Sequence, residues 1–340
     1  MKIYLHIGYH KTGSSFLQMM FSTNRTLLKE LGIYYPSEDR DNDAKEGRIS
    51  PGNGLRLSQA ITTQNKNEFM DLMSSWIKEA ITNECKTLLI SNEGLFHSMS
   101  SNDYSNFFKE LRSKTQISEV QGLLFLRDPL DHIFSLYKHR GKRGTIPDFK
   151  TWVNEDYETL QLTEQFINKL DEGTQVNFTL RRYKNDSKYL ADAVFKDWLN
   201  ISTPSIPEGD RVNPSLTLSE IMVLENVYKV MGSEKTIKIQ QRFLKNTNSK
   251  PKDEELKKYY AHQLKSYLSE HLPLIERINK NLPKNEKLIL ESYKPLQNDL
   301  KFVILSIEQL KIVLEESNLT IGLKDKVKEK VKSLYRKSMK

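Results

Sequence analysis

Two periodicities alternate through the first two hundred residues. Short continuous apolar runs, "KIYLHI" (2–7), "GIYY" (32–35), "KTLLIS" (86–91), "GLLFL" (122–126) and "QVNFTL" (175–180), read as buried strands. Between them Phe69, Met70, Leu72, Met73, Trp76, Ile77, Ala80 and Ile81 recur at helical spacing, which predicts one helix with a buried stripe. Strands alternating with helices predict an α/β fold, a parallel sheet flanked by helices. Asp128-Pro129 reads as an N-cap followed by proline at the first helical position, starting a helix that Gly141 ends.

Elsewhere the pattern weakens. From Pro36 to Lys66 the chain is polar and rich in Gly, Asn and Asp, as expected of a lid, a binding loop or a disordered insertion. After Pro214 the strand signals stop. "TLSEIMVLENVYKVMG" opens with a capping-box pattern, Thr217 to Glu220, and begins a helical C-terminal region. The expected division is residues 1–213 as an α/β domain and 214–340 as the helical region.

Composition changes this picture at one point. An apolar fraction of 37% with 14 Phe and 15 Tyr suits a folded globular chain. No run approaches the ~18 apolar residues a membrane-spanning helix needs, and only Met1 and Lys2 precede the first apolar run, so no secretory signal fits. The single cysteine, Cys85, excludes an internal disulfide, which favours a reducing, cytoplasmic setting. The net charge of +8 suggests nucleic acid until it is mapped. Residues 322–340 hold eight Lys/Arg against two Asp/Glu, a net +6, which leaves +2 for everything else, so no nucleic-acid partner is expected. Leu323, Val327, Val331, Leu334 and Tyr335 fall on one helical face of that tail. Such a basic amphipathic helix suits peripheral contact with an anionic membrane at its inner face, docking on a partner, or folding back onto the body.

Candidate chemistry begins with "HIGYHKTGSSFLQ" (6–18), a strand running into a glycine-containing turn and then a helix. Such a turn points free backbone N–H groups and the positive end of the helix dipole at whatever occupies it, which makes it a phosphate-binding site. Gly8 and Gly13 let the backbone wrap, Ser14 and Ser15 add hydroxyl donors, and Lys11 adds a cation. The lysine precedes Gly13, whereas the usual nucleoside-triphosphate loop places it after the second glycine with a metal-binding hydroxyl next to it. The second constellation is "LLFLRDPLDHIFSLYKH" (123–139). Arg127 stands where a buried strand stops, and Ser135 follows eight residues later on a capped helix. Beyond "KTLLIS", Glu93 and His97 are candidate general bases, and His10 beside Lys11 is expected in a buried structural role, with approach to the loop's ligand as its alternative. Lys138, Arg140, Lys142 and Arg143 in "YKHRGKRG" suit either an anionic ligand or a solvated loop.

Taken together, "HKTGSSFLQ" and "RDPLDHIFSLYKH" resemble the 5′-phosphosulfate loop and 3′-phosphate segment of sulfotransferases that use 3′-phosphoadenosine 5′-phosphosulfate (PAPS). The resemblance extends more weakly through "LLISNEG", "FKDWLNI" and "RVNPSL", and departs where many relatives carry a second arginine and this chain has His132. It implies a P-loop-like core of the bacterial carbohydrate type. Lys11, Thr12, Gly13, Ser14 and Ser15 would hold the 5′-phosphosulfate, and Arg127 and Ser135 the 3′-phosphate. Lys11 would neutralise the leaving phosphate, no metal would be required, and Glu93, with His97 in reserve, would act as base. The acceptor it implies is a hydroxyl of a glycan or glycolipid. Two other readings stay open: a P-loop kinase-like phosphotransferase, and a nucleotide-binding or membrane-docking protein without turnover.

Overall fold

The structure, a computed structural model, describes residues 1–37, 52–141, 148–207, 215–245, 253–290 and 307–316. Five strands, β1 (Lys2–Ile7), β2 (Ile33–Tyr34), β3 (Thr87–Asn92), β4 (Glu119–Leu126) and β5 (Asn177–Arg182), form one sheet in the order β2-β3-β1-β4-β5. Every pairing is parallel, with Lys2 opposite Thr87 on one side of β1 and opposite Glu119 on the other. Each expected strand is present; β4 starts three residues before "GLLFL", because Glu119 and Gln121 interrupt its apolar run. Ile3, Leu5, Leu88, Ile90 and Leu124 are buried, and so are their alternating neighbours Tyr4, Leu89, Leu123 and Phe125. Both faces of the sheet are therefore covered, as a parallel sheet requires. One face packs on Leu17, Met20 and Phe21 of the Ser14–Thr23 helix and on Leu190, Val194, Phe195 and Trp198.

The Lys66–Thr82 helix buries Phe69, Leu72, Met73, Trp76 and Ala80, whereas Ile81, in its last turn, is 63% exposed. The polar stretch after Pro36 is not structureless throughout. Residues 38–51 lie outside the described residues, and Leu55–Thr62 is a helix that buries Leu57, Ala60 and Ile61. Those three positions have helical spacing, hidden in sequence by Ser58 and Gln59 between them and Arg56 before them. Residues 192–198 continue the Ser187–Ala191 helix with wider i→i+5 bonding, seen in the Leu199 N–H donating 2.9 Å to the Val194 carbonyl.

The chain forms two compact units that interleave along the sequence. The first comprises the described parts of 1–129, 158–212 and 270–290; the second, those of 130–157, 213–269 and 291–340. Segments 130–157 and 270–290 thus belong with the unit on the far side of the expected 213/214 boundary. The second unit is helical. Its Leu218–Lys245 helix opens with the expected capping box: the Thr217 N–H donates to Glu220 Oε2 at 2.6 Å, and the Glu220 N–H to Thr217 Oγ1 at 3.1 Å. Gly232, at φ 74°, breaks this helix in its middle. Phe134, Tyr137, Phe149, Trp152 and Tyr260 form the unit's aromatic core. Among the described residues, no helix is long and apolar enough to cross a membrane.

Candidate functional site

In this strand order the chain leaves β1 toward β2 and leaves β4 toward β5, so adjacent strands send their connections in opposite directions. Open α/β sheets bind ligands in the crevice at the carboxyl ends of such strands. The residues following β1, β3 and β4 meet there.

The turn after β1 is built by contacts that the sequence only hints at. Gly8 continues the strand, its N–H donating 2.9 Å to the Asn92 carbonyl at the end of β3. A Cβ on Gly8 would lie 2.6 Å from the Glu93 Cα and 2.7 Å from Ser14 Oγ, so only glycine lets the turn lie against β3 and the helix. Lys11, partly buried, is left-handed at φ 62°, a conformation that costs a non-glycine residue about 1 kcal/mol. Gly13, at φ 83°, is left-handed without that penalty. Two hydrogen bonds hold the turn. Thr12 Oγ1 donates 2.6 Å to the Tyr9 carbonyl, and Arg127 Nη1, from the end of β4, donates 3.0 Å to the Lys11 carbonyl.

The helix that follows has no side-chain cap. Its first backbone bond runs from the Leu17 N–H to the Gly13 carbonyl, which leaves the Ser14, Ser15 and Phe16 N–H groups without an intrahelical acceptor. Ser14 Oγ is buried and makes no hydrogen bond among the described residues. A buried hydroxyl without a protein partner costs about 1–3 kcal/mol, so this one can take a partner from solvent or from a ligand. Ser15 is exposed on the same first turn. The expected donors therefore divide: the Thr12 hydroxyl closes the turn, while the Ser14 hydroxyl is left over.

Arg127 holds the turn through the Lys11 carbonyl and lies 5.1 Å over the Tyr183 ring. The Tyr183 N–H donates 2.7 Å to the Leu126 carbonyl and extends the β4–β5 pairing, which sets that ring beside Arg127. No motif flagged Tyr183; its position directly after a strand was the available signal. Asp128 does not turn to Arg127. Its Oδ2 accepts from Arg182 and its Oδ1 from the Ile289 N–H at 2.8 Å. Ser135 is partly buried on the Pro129–Arg140 helix and belongs to the second unit, as does buried His132, whose Nδ1 lies 2.8 Å from the Tyr157 hydroxyl.

No protein-family model matches this chain, and neither does any curated protein or any solved structure. The site's chemistry therefore stands on its own geometry.

Glu93 directly follows β3 and caps the Gly94–Ser101 helix in sequence position, but not with its side chain. Its Oε1 lies 3.0 Å from His10 Nδ1. The His10 side chain is 52% exposed, which overturns the buried structural role expected of it from sequence. His97, one turn further on, faces elsewhere. It lines a cleft of ≈ 540 Å³ with Ser100, Gln161, Gln165, Asn168 and Glu172, and neither Glu93 nor Lys11 lines that cleft. Beneath the turn, buried His6 sits with Nδ1 2.8 Å from Ser91 Oγ. Burial lowers its pKa to about 4, against a smaller raising effect of the Glu93 charge, so the ring is neutral. Of the cations in "YKHRGKRG", Lys138 pairs with Asp253 at 3.5 Å and Arg140 lies 5.9 Å over Trp152. Lys142, Arg143 and the basic tail 322–340 lie outside the described residues. No cluster of potential metal ligands occurs among the described residues.

Proposed function

We propose that this protein is a sulfotransferase that moves the sulfuryl group of PAPS onto a hydroxyl of a glycan or glycolipid. The observation that carries the reading is the turn after β1, where the buried Ser14 hydroxyl and the open N–H groups of an uncapped helix lie beside Lys11. Together they are donors arranged for a tetrahedral anion. Gly8 keeps that space clear of a side chain. The residues present thus fit the 5′-phosphosulfate end of PAPS. Lys11, Gly13, Ser14 and Ser15 would hold it through side chains and amides, with Thr12 keeping the turn closed. Assignment of the 3′-phosphate to Arg127 follows the family resemblance.

When bound, PAPS supplies the sulfuryl group and a phosphate leaving group, which requires no protein nucleophile. Sulfuryl transfer, like phosphoryl transfer, passes through a loose in-line transition state, so the chain's contribution is positioning and charge. Lys11 balances negative charge growing on the leaving oxygen. The acceptor's proton is taken within the Glu93–His10 pair, which the fold brings up against the turn. The sugar acceptor rests on the carboxylate at position 93 and on resemblance to glycan-type relatives. The test is transfer of radiolabelled sulfate from PAPS to a glycan and lipid extract of the source organism. Label in a glycan-containing product is expected in chelator; an extract that stays unlabelled overturns the reading.

A further inference from the structure

We propose that His10 is the base that takes the acceptor's proton and that Glu93 is its positioning residue, an assignment that rests on the sulfuryl-transfer reading above. His10 Nδ1 lies 3.0 Å from Glu93 Oε1. An ionised carboxylate only accepts hydrogen bonds, so Nδ1 carries the proton, and in the neutral ring the proton-accepting atom is Nε2. A carboxylate that orients an imidazole and stabilises the imidazolium formed from it recurs wherever histidine serves as general base.

Two features of this chain favour that division of labour. First, backbone holds the pair together: Gly8 lies so close to the Glu93 Cα that a Cβ would sit at 2.6 Å, and the Gly8 N–H bonds the Asn92 carbonyl. Second, His10 belongs to the phosphate turn itself, next to Lys11, and its 52% exposure leaves the ring within reach of an acceptor from solvent.

In the step, the acceptor oxygen forms a bond to sulfur and gives its proton to His10 Nε2. The bond from sulfur to the 5′-phosphate oxygen breaks, and the electron pair leaves on that phosphate beside Lys11. The Glu93 carboxylate stabilises the resulting imidazolium, which then returns its proton to solvent.

The experiment combines nitrogen NMR of the histidine-labelled full chain with calorimetry and turnover. With its ring neutral, His10, assigned from the spectrum of His10→Gln, is expected in the Nδ1–H tautomer, moving toward Nε2–H in Glu93→Ala. His10→Ala should lose about 10²–10⁴-fold in kcat while binding 3′-phosphoadenosine 5′-phosphate as wild type does. Glu93→Gln should lose rate, but less than His10→Ala does, because its amide oxygen still accepts from Nδ1–H yet brings no charge to the imidazolium. An Nε2–H ring in the wild type overturns the assignment, as does an active His10→Ala beside an inactive Glu93→Gln. A wild-type chain that neither binds the nucleotide nor transfers sulfate overturns the sulfuryl-transfer reading, and this assignment with it.

Discussion

The turns after β1 and β4 begin alike and finish in opposite states. Each ends a buried parallel strand, stands beside the other in the sheet, carries a cation and leads into a helix. After β1, the chain takes two left-handed residues, and the helix starts without a cap, with a buried hydroxyl left unpaired. After β4, Pro129 removes one amide outright. Asp128 is fully engaged by Arg182 and the Ile289 N–H, and Arg127 turns back to brace the first turn. One turn keeps unfilled donors, and the other lends Arg127 Nη1 to brace it. A cation beside a strand end is not by itself a binding site; donors left unfilled are what an anion can take.

The comparison breaks most visibly at Lys11. Lys11→Ala should lower kcat by roughly 10²–10³-fold, the scale of losing one stabiliser of transition-state charge, with a much smaller effect on nucleotide affinity. A change confined to KM would make Lys11 a binding residue only.

The strands feeding the turns differ too, since buried His6 in β1 pairs across to Leu123 in β4. The folded pKa of His6, about 4, lies below the unfolded value near 6.5, so the unfolded chain binds the proton first as pH falls. Stability is therefore full above about pH 6.5 and declines toward pH 4, by about 3 kcal/mol. In denaturant melts across that window wild type should lose stability relative to His6→Leu as pH falls; parallel curves would assign the loss to other groups.

Asp128→Ala should destabilise the chain by about 2–3 kcal/mol, because a hydrogen-bonded charge partner of Arg182 and the Ile289 amide is removed. Ser14→Ala should behave in the opposite way. Without ligand it should leave the melting temperature unchanged or raise it, since an unpaired buried hydroxyl disappears. With 3′-phosphoadenosine 5′-phosphate it should weaken binding by roughly tenfold, the worth of one charge-assisted hydrogen bond. A stability loss at Ser14 comparable to that at Asp128 would erase the distinction between the turns.

Much of this was legible in the residues. The five strands announced themselves because parallel strands are buried on both faces and read as unbroken apolar runs. The beginning of β4 was hidden by Glu119 and Gln121, and the Leu55–Thr62 helix by the polar residues around Leu57, Ala60 and Ile61. At the site, the Gly/Lys/Ser spacing located the turn but not which hydroxyl faces inward. That depends on the left-handed backbone at Lys11 and Gly13, which sends Thr12 to the Tyr9 carbonyl and strands Ser14. The His10–Glu93 contact, between residues 83 apart in sequence, follows from β1 lying next to β3, which local pattern does not encode.

In the proposed function the turn after β1 receives the 5′-phosphate end of the nucleotide without a metal. Titration calorimetry of the full chain with 3′-phosphoadenosine 5′-phosphate in excess chelator tests it most directly. Saturable binding at one site per chain is expected, unchanged when magnesium is added. Binding that appears only with magnesium, or no binding at all, would contradict it.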